Sequence, residues 1–328
     1  MNVLVCGGAG YVGSHAVMAL RDAGHTPIVL DSLEKGHRAA VRGAEVVVGN
    51  ILDHDRVLRA LRQFEIHTVM HFCAYIEVGE SMSDPMRYYA NNTMGALSLL
   101  KSMRDAGVGN FIFSSTAAVY GMPEAVPIPE DAPARPINPY GHSKLLVEEV
   151  CRRLARHTDF RYAALRYFNA CGASADGLLG EDHRPESHLI PIVLQVPAGK
   201  RPAVRIYGRD YPTPDGACVR DYIHVADLAR AHVKAMDYLA AGGESGAFNL
   251  GTGQGYSVLE IVDMARKVTG HPIPAEDGGR RPGDPPRLVA DPSKARRLLG
   301  WEAVESDLET IIASAWKWHQ AHPDGYAE

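Results

Sequence analysis

The 328-residue sequence lacks long apolar runs, paired cysteines and any concentration of basic charge. No apolar stretch approaches the roughly 20 residues that a membrane-spanning helix requires, so we do not expect a membrane protein. The net charge of −5, without a basic block, argues against nucleic acid as the main partner. The cysteines contain no CxxC pair, which argues against a disulfide framework and a cysteine-based zinc site. They are Cys6, Cys73, Cys151, Cys171 and Cys218.

The N-terminal stretch "MNVLVCGG" has the pattern of a buried strand, which leaves no room for a signal peptide. Together with scattered, unpaired cysteines, this predicts a cytoplasmic protein. A hydrophobic content of 46% and a charged content of 22% are typical of a globular protein, and the length suits two domains.

The first thirty residues predict a dinucleotide-binding βαβ unit. Gly7, Gly10 and Gly13 have the spacing GxxGxxG between an apolar strand and an amphipathic helix. Such glycines allow a tight turn, a close approach of backbone to a pyrophosphate, and close packing of helix on strand. Asp31 ends the second strand, where a carboxylate accepts ribose hydroxyls and repels a 2′-phosphate. We therefore expect NAD, with NADP a minor alternative because basic side chains occur within residues 35–38.

Apolar strand-like segments alternate with helical segments in the first half of the chain, as in "AEVVVGNIL" followed by "HDRVLRALRQF". This alternation predicts an α/β fold with a Rossmann-type, doubly wound parallel sheet. Ligands of such sheets bind at the carboxyl ends of the strands. The residues at those predicted ends are Asn50, Ile51, Phe72, Cys73, Ala74, Thr116 and Asn169.

The pattern becomes irregular after about residue 170, where proline and glycine clusters interrupt it. We predict an NAD-binding Rossmann domain over residues 1–169 and a smaller C-terminal α/β substrate domain over residues 170–328. A later segment near residues 222–252 is predicted to rejoin the first sheet.

The stretch "NPYGHSK" predicts a helix that begins with an acid–base pair. Asn138 suits the N-cap and Pro139 the first helical position, so helical spacing places Tyr140 and Lys144 one turn apart on one face. A tyrosine that acts as a base near pH 7 needs its pKa lowered by about three units, roughly 4 kcal/mol. The Lys144 ammonium and the positive ring of oxidised NAD would lower it, and the Thr116 hydroxyl would share the transferred proton. This trio suits removal of a hydride from a carbinol.

These features resemble the extended short-chain dehydrogenase/reductase family: "GGAGYVG", Asp31, the Ser–Ser–Thr strand end and the Tyr-x-x-x-Lys helix. Finer motifs are similar to those of the UDP-hexose 4-epimerases within that family, and they run in order over almost the whole chain. They are "HFCAYIEVGES", "YYANNTMG", "FSSTAAVYG", "NPYGHSK", "LRYFNACGA", "GRDYPTPDGACVRDYIHV", "FNLGTGQGYSVLE" and "RRPGDPPRLVADPSKA". The resemblance implies an enzyme that keeps NAD tightly bound and inverts C4 of a UDP-hexose, UDP-galactose or UDP-glucose. C4 would be oxidised to a ketone, the sugar would turn, and the hydride would return to its other face.

The resemblance also implies roles for individual residues. Tyr140 would be the base, Lys144 would bind the nicotinamide ribose and lower the pKa of the tyrosine, and Thr116 would assist. The positions that match NAD contacts are Gly7, Gly10, Tyr11, Val12, Gly13, Asp31, Asn50, Ile51, Phe72, Cys73, Ala74, Asn92, Tyr140, Lys144 and Phe168. The positions that match UDP-sugar contacts, mostly in the predicted second domain, are Thr116, Tyr140, Asn169, His188, Leu189, Tyr207, Arg220, Arg281, Asp284 and Leu288. The family usually forms homodimers through two helices, which here would hold Met94–Leu100 and Leu145–Cys151.

Four positions bear on how far the resemblance extends. Thr116 stands where many members have serine and keeps the hydroxyl, whereas Ile76 replaces a lysine that some members place near the cofactor. His188 replaces a common asparagine beside the sugar diphosphate. Leu288 lies where the family gates the 2-substituent of the sugar, and its intermediate size leaves acceptance of N-acetyl sugars open.

Potential metal ligands are concentrated in one segment that contains Glu181, Asp182, His183 and His188. Acidic loops of this kind are usually solvated lids, so we expect no metal here.

Related activities provide the alternatives. A dehydratase or decarboxylase of this family needs an acid after the threonine, where this chain has Ala117 and Ala118, so both activities are disfavoured. A nucleotide-sugar reductase that exchanges its NAD stays open, as does an epimerase of a UDP-N-acetylhexosamine, UDP-pentose or UDP-uronate. A non-enzymatic NAD sensor or scaffold would be expected to lose Tyr140 or Lys144, and both are present.

Overall fold

The computed structural model describes residues 1–281 and 284–327. The helices are α1 Tyr11–Asp22, α2 His54–Gln63, α3 Val78–Ser83, α4 Pro85–Tyr88, α5 Gly95–Ala106, α6 Pro139–His157, α7 Leu189–Leu194, α8 Val225–Ala240, α9 Val258–Thr269, α10 Ser293–Leu299 and α11 Leu308–Ala321. The strands are β1 Asn2–Cys6, β2 Thr26–Asp31, β3 Glu45–Val48, β4 Thr68–His71, β5 Asn110–Thr116, β6 Arg161–Tyr167, β7 Asn169–Cys171, β8 Val204–Tyr207, β9 Val219–Arg220, β10 Tyr222–His224, β11 Gly246–Leu250, β12 Tyr256–Ser257, β13 Ala275–Gly278 and β14 Arg287–Leu288. A π-helical segment, Tyr89–Met94, leads into α5. Within the described residues, no helix has the length and apolar character needed to cross a bilayer.

A seven-stranded sheet with the order β11-β6-β5-β4-β1-β2-β3 forms the centre of the protein. Every neighbouring pair in it is parallel. Alternate residues of β1 enter opposite apolar layers, because successive side chains of a strand point to opposite faces: Val3 and Val5 pack in one layer, Leu4 and Cys6 in the other. The α/β class and the Rossmann-type, doubly wound parallel sheet predicted from the sequence are therefore confirmed.

The strand order changes direction beside β1, and this change determines where a ligand-binding crevice can form. The chain adds β2 and β3 on one side of β1, then crosses over to place β4, β5 and β6 on the other side. The helices that follow β1 and β4, α1 and α5, therefore pack on opposite faces of the sheet and leave a crevice at the carboxyl ends of the strands, where such sheets bind nucleotides.

Three small sheets, β12-β9-β14, β10-β7 and β13-β8, lie in the C-terminal half of the chain. Helices α7, α9 and α11 pack into an apolar cluster of their own, separate from the two layers of the main sheet. The segment 222–252 divides between these parts: β10 pairs with β7, whereas β11 adds the last strand to the main sheet beside β6. The proposed division at residue 169/170 stays a prediction.

Candidate active site

The glycine loop after β1 forms a close-packed cradle. Gly7 has a φ of +82°, which side-chain-bearing residues rarely adopt, and a Cβ there would lie 2.8 Å from the backbone nitrogen of Cys73. A Cβ on Gly13 would lie only 2.1 Å from the Gly7 carbonyl oxygen. Helix α1 begins after Gly10 without a side-chain cap. Its first N–H groups therefore face the crevice with the positive end of the helix dipole, which fits the pyrophosphate of a dinucleotide.

Asp31 lies at the carboxyl end of β2 and also holds the glycine loop. Its carboxylate accepts hydrogen bonds from Ala9 N at 3.0 Å and Leu33 N at 2.9 Å. A carboxylate has about four lone-pair positions, so two remain for ribose hydroxyls. Burial raises the pKa of Asp31, although both backbone donors oppose that shift.

Two of the basic side chains that kept NADP as an alternative are engaged elsewhere. Lys35 Nζ donates to the Arg184 carbonyl at 3.4 Å, and His37 Nε2 lies 3.1 Å from the Asp182 carbonyl oxygen. These contacts direct both side chains toward the 181–188 loop, which favours NAD over NADP.

The loop after β4 runs against the glycine loop and carries Phe72, Cys73 and Ala74. Asn92 was predicted to contact NAD directly, but its amide is fully used by the protein. Its Oδ1 accepts from Tyr75 N and from the Asn91 amide, and its Nδ2 donates to Tyr75 O and Ser143 Oγ. Because an amide offers two donors and two acceptor sites, the Asn92 side chain fixes this loop and has no hydrogen-bonding position left, while its contact with NAD stays a prediction.

Other predicted cofactor positions have identifiable neighbours. The Tyr11 hydroxyl donates to the Gly172 carbonyl at 2.6 Å and so ties α1 to the loop after β7. Asn50 follows β3 and accepts from Leu52 N at 2.9 Å. Ile51 is 4% exposed and belongs to the core, so it supports the crevice through packing. Val12 lies in the first turn of α1. Phe168 follows β6 and, like Leu288, packs against a small apolar cluster that begins at Ala117, directly after Thr116.

Helix α6 begins as predicted, with the Asn138 side chain accepting from Gly141 N at 2.8 Å and Pro139 in the first turn. A Cβ on Gly141 would lie 2.5 Å from the Ala118 carbonyl oxygen, so this helix mouth packs against the chain that follows Thr116. Tyr140 is thereby held at the carboxyl end of β5. Thr116 Oγ1 accepts from Ala118 N at 3.1 Å, which leaves its proton for another acceptor.

The electrostatics of Tyr140 differ from the prediction. Burial raises the pKa of Tyr140 above its usual value of about 10, a polar contact with Thr116 lowers it in part, and the Glu77 carboxylate raises it further. The predicted lowering by Lys144 is not among these causes.

Lys144 faces the sheet instead. Its Nζ donates to the Ser114 carbonyl at 2.9 Å and lies 5.1 Å from the centre of the Phe113 ring. The residue is only 2% exposed, and burial lowers its pKa to about 8. A pKa of about 8 leaves Lys144 mostly protonated at pH 7, but its ammonium is directed to the Ser114 carbonyl and is not among the causes that shift the pKa of Tyr140.

A buried ion pair beneath β5 was not predicted from the sequence. Arg166, on β6, donates to the Glu148 carboxylate from Nε at 3.0 and 3.2 Å and from a terminal nitrogen at 2.5 Å. Glu148 also accepts from the Ser115 hydroxyl, and Arg166 donates to the Tyr120 hydroxyl at 2.9 Å. The pair joins α6 to the strand that ends at Thr116. Arg166 within a largely apolar strand was the signal available in the sequence, whereas Glu148 lies among other charged residues of α6.

The backbone of Asp221 assembles part of the predicted sugar pocket. Its N–H donates to the Leu288 carbonyl at 3.0 Å, and its carbonyl accepts from Asn169 N at 3.0 Å. Arg220 is paired in register with Leu288, so these three predicted positions become neighbours. The Asp221 side chain, also missed from the sequence, accepts from Thr252, Gly253 and Ala290, and burial raises its pKa to about 6.

A cationic, aromatic wall lies beyond this pocket. The Arg281 guanidinium stacks over the Tyr207 ring, 4.1 Å from the ring centre. Arg220 donates to the Asp284 carboxylate, so Asp284 orients a cation in addition to offering acceptor oxygens. Four of the predicted substrate residues thus form two ordered cation contacts suited to an aromatic base and a diphosphate.

His188 and Leu189 stand at the start of α7. The loop before them was expected to be a solvated lid, and that expectation is wrong for Glu181, which is 5% exposed. His188 Nδ1 lies 2.5 Å from a Glu181 carboxylate oxygen. The loop is therefore an ordered wall of the crevice.

Comparisons with known proteins agree with this geometry. Residues 3–251 match the model of the NAD dependent epimerase/dehydratase family. A curated UDP-glucose 4-epimerase from Halalkalibacterium halodurans is 50% identical over 327 residues, which is 100% of this chain and 98% of that protein. The structure of a UDP-glucose 4-epimerase from Brucella ovis in complex with NAD is 49% identical, with a TM-score of 0.94, over 96% of this chain and 97% of that chain. The structure of a UDP-glucose 4-epimerase from Bifidobacterium longum in complex with NAD+ and UDP is 40% identical, with a TM-score of 0.94, over 99% and 100% of the two chains.

Proposed function

The chain belongs to the NAD dependent epimerase/dehydratase family, and from that premise we propose that it is a UDP-glucose 4-epimerase. It interconverts UDP-glucose and UDP-galactose by transient oxidation at C4. The observation that carries the proposal is the position of Tyr140 at the mouth of α6, against the Thr116 end of β5. The full-length likeness to UDP-glucose 4-epimerases supports the choice of reaction.

The cofactor is NAD, which would supply a hydride acceptor for C4 and, when oxidised, a positive charge in the crevice. The glycine cradle and the uncapped start of α1 would hold its pyrophosphate, and the Asp31 carboxylate would accept its ribose hydroxyls. Hydrogen bonds between the Asn92 side-chain amide and the Tyr75 backbone keep the loop after β4 in place beside the cradle.

Tyr140 takes the proton of the C4 hydroxyl, and Thr116 offers its free hydroxyl proton to the same oxygen. Lys144 is buried beneath this pair with one N–H on the Ser114 carbonyl, which leaves two donors on its ammonium. Those donors orient the ribose of the nicotinamide. The Glu148–Arg166 pair ties α6 to β6, and the Ser115 hydroxyl ties Glu148 to β5, so the hydroxyl of Thr116 and the phenol of Tyr140 are held to converge on one atom.

On the substrate side, Arg220 and Arg281 neutralise the diphosphate, and Tyr207 forms an aromatic wall for uracil. Asn169 and Leu288 border the sugar, with His188 and Leu189 on the opposite loop. Because Leu288 has intermediate size, the 2-position of the sugar is the part of the substrate whose selection depends most on one side chain.

A dehydratase remains disfavoured, since Ala117 and Ala118 directly follow Thr116 and neither can move a proton from C5. A reductase is distinguished by its requirement for added cofactor, because an epimerase regenerates its oxidised NAD in each turnover.

The test is to supply the purified protein with UDP-galactose and no added cofactor, and to follow UDP-glucose formation. We expect turnover, and an absolute requirement for stoichiometric NAD(P)H would instead support a reductase. UDP-N-acetylglucosamine, UDP-xylose and UDP-glucuronate, assayed in parallel, define the substrate range.

Tyr140→Phe removes only the phenol oxygen, and activity should fall by about 10²–10⁴-fold with NAD content unchanged. Tyr167→Phe is the matched control, because it removes a buried phenol oxygen bonded to Ser114 on the next strand, and its activity should stay within a few-fold. If more than about a tenth of the activity survives in Tyr140→Phe, the base is a different group.

The protein is further proposed to be a cytoplasmic homodimer, with the copies meeting through α5, α6 and the π-helical segment. Met94 and Leu97 leave apolar side chains 59% and 38% exposed on this face. Light scattering after size exclusion should give a dimer, and Met94→Glu should convert it to a monomer. Leu178→Glu, at an apolar position that is 44% exposed in the loop after β7, should leave the dimer intact; a monomeric unmodified chain would refute the proposal.

A further inference from the structure

Four side chains with metal-ligating atoms converge in the loop between β7 and α7. We call Glu181, His183, Glu186 and His188 the loop cluster. Each offers one ligand atom, and the four atoms all lie within 4.8 Å of one another. The cluster lies outside the proposed acid–base trio, and only His188 belongs to the predicted substrate positions.

The orientation of these atoms argues against simple mutual hydrogen bonding. Glu181 Oε1, His183 Nδ1 and His188 Nδ1 are buried and, within the described residues, have no hydrogen-bond partner of acceptable geometry. Glu181 as a whole is 5% exposed. Buried polar atoms are nearly always satisfied, so three such atoms aimed into one space indicate a missing shared partner.

The spacing fits a small ion at the centre of the loop cluster. Glu181 Oε1 lies 3.2 Å from His183 Nδ1 and 2.5 Å from His188 Nδ1. Oxygens of Glu186 lie 3.9 Å from His183 Nδ1 and 3.5 Å from His188 Nδ1. Tetrahedral Zn²⁺, with nitrogen and oxygen ligands at about 2.0–2.1 Å, separates neighbouring ligand atoms by roughly 3.3 Å. Only the distance between Glu181 Oε1 and His188 Nδ1 would need to increase appreciably.

The backbone around the loop cluster is held by independent contacts. Glu186 Oε1 accepts from the backbone nitrogens of Ser187 and His188, each at 2.8 Å. Asp182, between the first two ligands, accepts from Tyr326 N at 3.0 Å and lies beside His37. The loop is therefore preorganised, so binding an ion would require little ordering of the chain.

We propose that the loop cluster binds one divalent transition-metal ion, with Zn²⁺ the best match. Two imidazole nitrogens and two carboxylates suit such an ion better than Mg²⁺ or Ca²⁺, which prefer oxygen ligands alone. The ion fixes the loop that carries His188 and Leu189 against α1, since the Tyr11 ring lies edge-on to His183 at 6.2 Å. Its role is to order one wall of the crevice, and the sequence-based expectation of no metal is replaced by this proposal.

The test uses the full-length protein with its NAD, stripped of metal by a chelator and titrated with Zn²⁺ by calorimetry. We expect about one ion per chain, a higher melting temperature with Zn²⁺, and the strong visible absorption of tetrahedral Co²⁺ when Co²⁺ is used instead. His183→Gln and Glu186→Gln should each weaken Zn²⁺ binding by at least about tenfold. His157→Gln, at the exposed end of α6, is the control and should bind like the unmodified protein.

Two results would overturn the proposal. One is the absence of saturable Zn²⁺ binding, which would leave Glu181 as the counter-ion of two protonated imidazoles. The other is Zn²⁺ binding that both cluster variants retain, which would mean adventitious surface sites. Circular dichroism and NAD content show whether each variant is folded, and with two variants the test does not depend on either one folding. Because binding is measured without turnover, failure of the proposed epimerase activity would not affect this result.

Discussion

Replacing Gly13 with alanine tests whether the glycine cradle is set by backbone contact. The new Cβ would lie 2.1 Å from the Gly7 carbonyl oxygen, 2.9 Å from the Gly7 carbonyl carbon and 3.0 Å from Gly8 Cα. All three neighbours are backbone atoms, so α1 and the loop must separate by about 1 Å, which typically costs about 1–3 kcal/mol. Alanine regains about 0.5–1 kcal/mol of helix propensity, so the net destabilisation should be about 1–2 kcal/mol.

The same displacement moves N–H groups away from the pyrophosphate. A hydrogen bond to a charged group contributes about 1.5–3 kcal/mol, so loss of even one weakens NAD binding at least about tenfold. The measurements are urea unfolding and the dissociation constant for NAD. Gly79→Ala is the matched control, because Gly79 is exposed in α3 and its Cβ would meet nothing within 4 Å. A Gly13→Ala protein with unchanged stability and an NAD affinity within twofold of the original would refute the reasoning.

Three further predictions follow from buried or near-buried carboxylates. Asp31→Ala should weaken NAD binding and affect NADP binding less. Equal losses of affinity for NAD and NADP in the two titrations would show that Asp31 does not bind the ribose hydroxyls. Glu148→Gln leaves Arg166 buried beside an uncharged partner, so the free energy of unfolding measured in urea should fall by about 3–5 kcal/mol. Glu149→Gln changes the next residue, which is exposed, and should lower the free energy of unfolding little. Asp221 has its pKa raised by burial to about 6, so its contribution to stability is complete below about pH 4 and is lost as the pH rises through 6. The stability of the unmodified protein relative to Asp221→Asn should therefore fall by about 2–3 kcal/mol between pH 4 and pH 6, and a flat difference would contradict the shift.

The elements that the sequence predicted well are those defined by local chemistry. The start of α6 follows from Asn138 and Pro139, whose capping and backbone preferences act within one helical turn. The glycine cradle follows from the close backbone approach that glycine permits at positions 7 and 13. The parallel sheet follows from alternation of apolar strands with helices, because each pattern has its own period.

The features that the sequence did not predict depend on contacts between distant segments. Glu148 and Arg166 are a pair only because α6 packs behind β6. Asn92 is saturated by Tyr75 and Ser143, neither of which a cofactor-contact motif takes into account. The burial of Glu181 depends on packing of its loop against α1 and the C-terminal residues, which no local pattern encodes.

The main physical cause of the electrostatic correction at Tyr140 is burial, which opposes charge on both members of the motif. Tyr140 and Lys144 lie one helical turn apart as predicted, yet both pKa values move toward the neutral forms, because neither side chain keeps its hydration. A dry pocket also strengthens every charge that enters it, since the effective dielectric constant is low. The motif thus fixes where the phenol lies, whereas its ionisation depends on the charges that the bound ligands bring. The proposed enzyme is therefore expected to be reactive only when its crevice is filled.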